Sequence, residues 1–593
     1  METSFSAGKH YQGKRLLPVA LRLVATGYET HWWESIQVKQ NNTRAQSMKR
    51  SIGIITLNAK FIQTSLSLRY LRNAARAVGF QNVWMREFVI NQPVWKIAAE
   101  IQQLRPEILG VSIYIWNRYQ SFELIERLKK QNPELEIVIG GPEVSFETQL
   151  SDQYTTISGE GENKWVEFLQ YKQRNETIPL NVRDRWNTYG VDLPELVPPY
   201  VAEDYPQLKN RIAYIETSRG CPYLCSFCLS ALDKKVRYFD SNAMRKQIEQ
   251  LVASGARRIK FVDRTFNLKP AQMRELMQWL TRFKGASFHF EVVGDILTPD
   301  MLNFLATVPE GMFQFEIGVQ TTDDDTQDSI QRKQNNKKLF AAIAELGRQN
   351  KIHCHCDLIF GLPGETLEQM LKSFEEVLAL KPQELQLGFL KFLPGAPINE
   401  VAEKHGYQFQ STPPYEIISN NDLSADEVIY LKKFTEVFDL FYNSKRFRFS
   451  LDHLFKTWNP VNLFNHLLEY MEERDLLFKS HSLESQYKIL FDAFSLSEKA
   501  LEFDLLKLDY LFAQRVFHLP RFLINRPGEN GKLRPKTWQG DRKTLLVPFG
   551  HEIEWTGSGV KMTPVSNLHH YVIAHPNEDS GYIQQPAIIR VNE

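Results

Sequence analysis

From Ser51 the chain alternates between short apolar runs and stretches with helical spacing. Ser51–Leu57 (SIGIITL) is apolar almost throughout, the pattern of a parallel strand covered on both faces. Ser65–Val78 then places Leu66, Leu68, Tyr70, Leu71, Ala74, Ala75 and Val78 at helical spacing and stops at Gly79. The same reading predicts strands over Asn82–Phe88, Ile108–Ile113, Glu136–Ile139 and Thr155–Ser158, with helices over Val94–Leu104, Gln120–Lys130 and near Lys164–Gln170. Strands joined by helical crossovers make a doubly wound parallel sheet, which binds ligands beyond the carboxyl ends of its strands. Residues 171–205, rich in Pro, Asn and charge, read as a linker. Alternation resumes over 206–395. Candidate strands there are Arg211–Thr217, Arg258–Asp263, Ser287–Val293, Phe313–Val319, Ile352–Phe360 and Glu384–Phe392, enough for a partial or complete β/α barrel with its active site at the strands' carboxyl ends. After Pro394 that rhythm stops. Residues 396–593 read as a mainly helical domain, amphipathic over Ala425–Tyr442 and Gln486–Phe512, with terminal strands over Thr544–Pro548, His570–Ala574 and Ala587–Val591. The fold class expected is therefore α/β: a sheet domain over 48–170, a barrel, and a helical C-terminal domain. The first 47 residues show weak periodicity and read as an extension or disordered arm ahead of Met48.

Composition narrows the function classes. The 593 residues carry 71 Lys and Arg against 70 Asp and Glu, a balance with no clear nucleic-acid signal and no acidic tail. The best membrane candidate, Leu16–Ala25, is short and broken by Arg22, so no membrane span is expected and the chain is read as cytoplasmic. Five cysteines, three of them within eight residues, point to metal rather than to disulfides.

Those three are Cys221, Cys225 and Cys228, on the loop after the first barrel strand. Three thiolates at this spacing can bind three irons of a 4Fe–4S cube and leave the fourth iron open. A structural zinc site is the alternative. It needs a fourth ligand, and Cys354 and Cys356 lie on another strand. On that strand His353, His355 and Asp357 share one face, while Cys354 and Cys356 share the other and read as core residues. His355 is kept as a candidate for substrate contact.

The CxxxCxΦC loop, with Phe227 before the last cysteine, resembles the radical S-adenosylmethionine (radical SAM) superfamily. Lys260–Asn267, Phe315–Thr321 and Asp357–Thr366 are similar to its second-, fourth- and fifth-strand motifs. The resemblance implies that Phe227, Asp263, Glu316, Gln320, Asp357 and Gly361 contact S-adenosylmethionine. Where many relatives have Gly-Gly-Glu at the second strand, this chain has Asp263.

The sheet domain lacks both GxGxxG and GxxxxGK[ST]. It has Gly140-Gly141-Pro142 after its fourth strand and Gly159-Glu160 after its fifth, glycines that let backbone approach a large flat ligand. Residues 51–170 resemble the cobalamin-binding domain of cobalamin-dependent radical SAM enzymes. That resemblance implies cobalamin contacts at Ser112, Tyr114, Gly140, Gly141, Pro142, Gly159 and Glu160. No histidine occurs between His31 and His289, so this sheet cannot give cobalt a histidine ligand. Overall the chain resembles bacterial cobalamin-domain radical SAM proteins with a C-terminal domain of unknown function. The cofactors implied are a 4Fe–4S cluster, S-adenosylmethionine and cobalamin, and the partners a substrate the sequence does not name and a reductant such as flavodoxin or ferredoxin. The function implied is reductive cleavage of S-adenosylmethionine to a 5′-deoxyadenosyl radical for methyl transfer to an unactivated carbon. Radical cyclisation or rearrangement, as in anaerobic porphyrin-ring cyclases, and a cobalamin- or redox-sensing role are the alternatives.

Overall fold

Seven consecutive residues of β1 (Ile52–Asn58) are buried without alternation, because helices cover both faces of the sheet they sit in. In the computed structural model, which describes residues 50–147, 150, 153–187, 197–514, 518–524, 547–556, 559–574 and 587–591, β1 is flanked by β2 (Val83–Val89) and β3 (Ile108–Ser112). With β4 (Glu136–Gly140) and β5 (Thr155–Ile157) they form a parallel sheet of order β2-β1-β3-β4-β5, whose switch point lies between β1 and β3. The described residues belong to one compact unit, Lys49–Glu593, and the extension 1–47 lies outside them.

The helix Leu66–Ala77 starts where the Ser65 hydroxyl accepts from the Leu68 amide. Its buried face carries charge as well as apolar groups. Arg72 pairs with Asp204 at 2.6 Å, Arg69 with Glu87 at 2.9 Å, and Arg211, at the entry to the barrel, with Glu87 at 2.9 Å. Glu87 thus joins Arg69 of the sheet domain to Arg211 at the barrel's entry, and this buried network ties the two domains together. The segment expected to be a linker is thus structural. It holds the helix Leu180–Asn187 and the fully buried Trp186, and it supplies Asp204. Its prolines fit because only acceptors are needed of them: Pro198 and Pro199 offer carbonyl oxygens to the Asn73 amide at 2.7 and 2.8 Å.

Six parallel strands form the second sheet: β6 (Ile212–Ile215), β9 (Arg258–Phe261), β10 (Ser287–Val292), β11 (Phe313–Gln320), β12 (His353–Phe360) and β13 (Glu384–Phe389), in spatial order β13-β12-β11-β10-β9-β6. Sequential strands are neighbours throughout, as in a partial barrel. A two-stranded antiparallel ribbon, β7 (Ser218–Arg219) with β8 (Arg237–Tyr238), stands between β6 and the first barrel helix. Buried and half-buried positions alternate strictly along β10, β11 and β12. Cys354 and Cys356 face the surrounding helices, while His353, His355 and Asp357 face inward.

The C-terminal helices pack on the barrel. Phe434, Phe438 and Phe464 surround Phe374 of the barrel helix Leu367–Ala379 with edge-on ring contacts. The outer strand β13 is covered by the Asn443 side chain, which bonds both the amide and the carbonyl of Leu385, at 3.1 and 2.8 Å. The stretch Gln486–Phe512, expected to be continuously amphipathic, is two helices, Leu483–Ala493 and Ala500–Ala513, broken where Ser495 adopts a left-handed conformation. Beyond a short β14 (Gln408–Phe409) and β15 (Ile417–Ser419) pair, β16 (Val547–Trp555), β17 (Val560–Ala574) and β18 (Ala587–Val591) make an antiparallel sheet. Among the described residues no helix is long and apolar enough to cross a membrane.

Candidate active site

The cysteine loop leaves the ribbon through Gly220, whose φ of +91° and position, with a Cβ that would fall 2.4 Å from the Lys235 carbonyl oxygen, admit no side chain. The Cys221 amide then donates to the Asp233 carbonyl at 2.8 Å, and the Ser226 amide to the Ile330 carbonyl at 2.9 Å. Each sulfur meets its own polar partner. Thr265 Oγ1 lies 3.6 Å from Cys221 Sγ, Arg332 Nη1 donates to Cys225 Sγ at 3.6 Å, and the Ser230 amide donates to Cys228 Sγ at 3.4 Å. Burial pushes the Cys225 thiol up and the Arg332 guanidinium opposes it. Donors such as Arg332 and the Ser230 amide stabilise thiolate ligands and tune a cluster, while the Thr265 hydroxyl donates to the Arg264 carbonyl. Among the described residues no three Cys, His, Asp or Glu side chains converge on a single-ion site, the geometry a structural zinc needs.

The three cysteines line a cavity of about 190 Å³ together with Phe227, Glu316, Gln320 and Asp357. Gln320 is the most constrained of these. It has a left-handed backbone, φ +70°, at the β11 bulge, and its buried Oε1 has no hydrogen-bond partner among the described residues. Its amide nitrogen fills the space over Gly318, where a Cβ would come within 2.2 Å of it. An orphaned acceptor aimed into a cleft beside three thiols fits a ligand rich in donors, as S-adenosylmethionine is with its amino, hydroxyl and adenine N–H groups.

The barrel interior below is charged rather than apolar. Glu316 lies 2.9 Å from Lys260 Nζ and 2.8 Å from His289 Nε2. Burial acts to raise Glu316, but the His289 hydrogen bond and the Lys260 charge outweigh it and bring it to about 2. Asp357 lies 3.2 Å from His355 Nε2 and is raised by burial, with His355 opposing.

Two expected contacts stand outside the cleft. The Asp263 carboxylate is buried and accepts from the Thr217 amide at 2.9 Å, the Thr217 hydroxyl at 2.5 Å and the Ser218 hydroxyl at 2.6 Å. It ties the β9 end to the start of the cysteine loop, and burial pushes it up to about 6. Gly361 turns with φ +88° beneath Ile417, whose Cδ1 would lie 2.7 Å from a Cβ there. The cleft also holds residues that sequence reading passed over. Glu291 sits on the inward, alternating face of β10, a position the alternation could have given. Arg332 and Thr265 come from loops with no periodic signal.

At the carboxyl edge of the first sheet, Ser112 ends β3 and its carbonyl accepts from the Thr56 hydroxyl at 3.0 Å. Tyr114 stacks on Trp116 at 4.5 Å and its hydroxyl meets Ser67 Oγ at 3.1 Å. Gly141, with φ +108°, packs against the Ile113 carbonyl, 2.4 Å from where a Cβ would be. Gly140 packs against the Ile157 carbonyl, Pro142 is exposed, and the Gly159 amide donates to Ser145 Oγ at 3.2 Å. Phe61, after β1, and Trp116 and Tyr119, after β3, expose large rings at this edge, 75%, 45% and 60% accessible. Bare backbone turns beside exposed rings suit a broad flat ligand such as a corrin. Glu160 differs from its expected neighbours: its two carboxylate oxygens lie 2.9 and 3.1 Å from the Arg237 guanidinium.

Comparison with known proteins agrees with this geometry. Residues 52–169 match the B12 binding domain, 215–377 the Radical SAM superfamily, and 403–547 a protein of unknown function, DUF4080. The chain is similar to 2-(S-pantetheinyl)-carbapenam-3-carboxylate methyltransferase of Streptantibioticus cattleyicolor, 23% identical over 52% of this chain and 50% of that protein. It is also similar to the cobalamin-dependent radical SAM methyltransferase TokK of Streptomyces tokunonensis, 24% identical over 57% of this chain and 55% of that one. The chain thus spans about half the length of these curated relatives. Among solved structures it is similar to the cobalamin-dependent S-adenosylmethionine radical enzyme OxsB, with a TM-score of 0.55 and 15% identity over 78% of this chain and 79% of that one. The methyltransferase TsrM from Kitasatospora setae gives a TM-score of 0.51 and 17% identity over 62% of this chain and 79% of that one. At these identities the likeness is one of fold. The chain carries a B12 binding domain, a radical SAM domain and a DUF4080 domain, in that order, and is a cobalamin-domain radical SAM protein.

Proposed function

We propose that the protein is a cobalamin-dependent radical SAM enzyme that transfers a methyl group to an unactivated carbon of its substrate. The observation that carries this reading is the cleft in which Cys221, Cys225 and Cys228, each with its own polar partner, face the unpartnered amide oxygen of Gln320. When bound, the iron–sulfur cluster and S-adenosylmethionine supply one-electron cleavage of a sulfonium C–S bond, and cobalamin supplies the methyl group. The chain's own residues bind and orient. The three cysteines would hold three irons, with Arg332, Thr265 and the Ser230 amide placed at their sulfurs. Gln320, Glu316 and Asp357 would receive the donors of S-adenosylmethionine, and Phe227 would wall the cleft. Lys260 and His289 keep Glu316 anionic, so it offers only acceptor oxygens. On the sheet side, Ser112, Tyr114, Gly140, Gly141, Pro142 and Gly159 would form the floor for the corrin. The electron would come from a reducing partner such as a flavodoxin or ferredoxin.

Anaerobically reconstituted, chemically reduced protein should form 5′-deoxyadenosine from S-adenosylmethionine. S-adenosylhomocysteine formed alongside it supports methyl transfer. Deoxyadenosine without it favours cyclisation or rearrangement, and neither product leaves a sensor.

A further inference from the structure

The ribbon that closes the cysteine loop contains a charge conflict. β7 and β8 pair with Arg219 directly opposite Arg237, and like charges so placed repel. The two side chains are only 15% and 13% exposed, so solvent screens them poorly. Near the loop, Glu216 lies 2.7 Å from Arg219 and Asp233 2.5 Å from Arg237. These two carboxylates already balance the two arginines one for one, and two more come from the other domain as hydrogen-bonding clamps. Glu160, in the turn after β5, bonds both terminal nitrogens of Arg237 and also lies 3.6 Å from Arg219 Nη1. Glu162, the first residue of the helix Glu162–Gln173, lies 2.9 Å from Arg219 Nη2. The Arg219 guanidinium is held 5.2 Å from the Tyr70 ring of the sheet domain and 5.6 Å from the Phe239 ring.

This ribbon sets the cysteines directly. Gly220 and Cys221 follow Arg219 and rest on Lys235 and Asp233, just ahead of Arg237. Displacing the two arginines would pull the first cysteine away from its backbone anchor.

We infer that Glu160 and Glu162 of the sheet domain are positioning residues for the cluster-binding loop: their hydrogen bonds fix the guanidinium groups of Arg237 and Arg219 and so hold the ribbon, and with it Cys221, in place. The inference rests on the reading that this loop binds a 4Fe–4S cluster. Glu160 thereby acts on the neighbouring domain's cofactor and not as a contact to the corrin. The turn after β5 couples the two cofactor sites through charge, and the presence of a docked sheet domain becomes a condition for a stable cluster.

Full-length wild type, E160Q, R237Q and the double variant E160Q/R237Q, reconstituted anaerobically, provide the test through two readouts that need no turnover: the rate of iron loss to a ferrous chelator, and the affinity for hydroxocobalamin. E160Q removes the two bonds that hold the Arg237 guanidinium, so iron loss should accelerate by about tenfold, while cobalamin affinity stays within about twofold. Because the two residues act as one pair, R237Q should lose iron at least as fast, and E160Q/R237Q should stay within about threefold of R237Q instead of showing the product of the two effects. Wild-type iron retention in E160Q with weakened cobalamin binding would make Glu160 a corrin contact and overturn the inference. A double variant whose iron loss is the full product of the two single effects would overturn it too. If E160Q does not fold, E162Q, R219Q and E162Q/R219Q carry the same comparison. A wild-type protein that takes up no iron would sink the cluster reading itself, whatever the variants do.

Discussion

The two parallel sheets of this molecule use the same strand geometry in opposite ways. In the first, β1 is buried at every position, so its strands carry no chemistry and any ligand must be met by the turns at their carboxyl ends. In the second, β10, β11 and β12 bury every other residue against helices and turn the alternate ones into a charged interior. A barrel of this kind ordinarily fills that interior with branched apolar side chains. Here it holds Lys260, His289, Glu291, Glu316, His355 and Asp357 instead. A covered sheet binds with its backbone, and a barrel open on its inner face binds with its side chains.

The largest expected effect separates the faces of the barrel. Replacing Cys221, Cys225 or Cys228 with Ala should abolish the cluster, seen as loss of bound iron and of the broad absorption near about 400 nm expected of such clusters. Cys354 and Cys356 are fully buried on the opposite face of β12, their sulfurs 3.8 Å apart. Alanine at either should leave the iron in place and cost roughly 1–2 kcal/mol in chemical denaturation. Loss of iron from the Cys354 variant would break the comparison, because the helix-facing side would then carry chemistry.

Glycines sharpen it next. Gly141→Ala forces a side chain into a left-handed conformation against the Ile113 backbone, which cannot yield, so it should destabilise the protein by about 1–3 kcal/mol and weaken cobalamin binding together. Gly318→Ala meets only the end of the Gln320 side chain, which can swing aside. Stability should hold while S-adenosylmethionine binding, measured by calorimetry on the reconstituted protein, falls by about tenfold. Equal losses of stability in the two variants would contradict a backbone-built and a side-chain-built site.

A smaller signature concerns cobalt. The sheet offers no histidine, and the barrel's inward histidines each have an acidic neighbour, His289 at 2.8 Å from Glu316, His353 at 3.5 Å from Glu384 and His355 at 3.2 Å from Asp357. Electron paramagnetic resonance of the cobalt(II) form should show single cobalt lines, without the triplet splitting that one axial nitrogen produces. A triplet would place a nitrogen donor where the backbone-built site provides none.

Legibility in the sequence followed the same division. Alternation along β12 was enough to turn His355 and Asp357 inward and Cys354 and Cys356 outward, because strand period two is a local rule, whereas Glu316 and Gln320 came from the resemblance of Phe315–Thr321 to a family motif. The cysteine spacing was equally local. What escaped depends on long-range partners. Nothing near Asp263 announces that Thr217 and Ser218 claim its carboxylate, and nothing near Glu160 announces Arg237, 77 residues on. Asp204 looked like linker charge until Arg72, 132 residues away, paired with it. The helix break at Ser495 escaped because no Pro or Gly marks it, and the second helix, buried continuously over Phe503–Leu511, is covered all round and not amphipathic as expected.

The last effect comes from a second buried glutamate, Glu365, a counterpart of Glu316. Inside, Glu316 is brought to about 2 by His289 and Lys260 against the effect of burial. In the turn between β12 and the helix Leu367–Ala379, Glu365 is 1% exposed, accepts a hydrogen bond from Thr321, and has an Oε2 with no partner among the described residues. Burial pushes it up to about 8, with the Thr321 bond opposing, so it is held protonated at neutral pH. Its folded value stands above that of an unfolded glutamate, about 4.3. The protonated form therefore favours folding fully below about pH 4.3, and that contribution is lost as pH rises through about 8. Glu365→Gln keeps the shape and cannot ionise. Its denaturation midpoint should run near wild type at pH 5 and rise progressively above it towards pH 9. Parallel curves across that range would mean that Glu365 ionises freely in the folded protein, and that the buried turn after β12 tolerates charge as the barrel interior does.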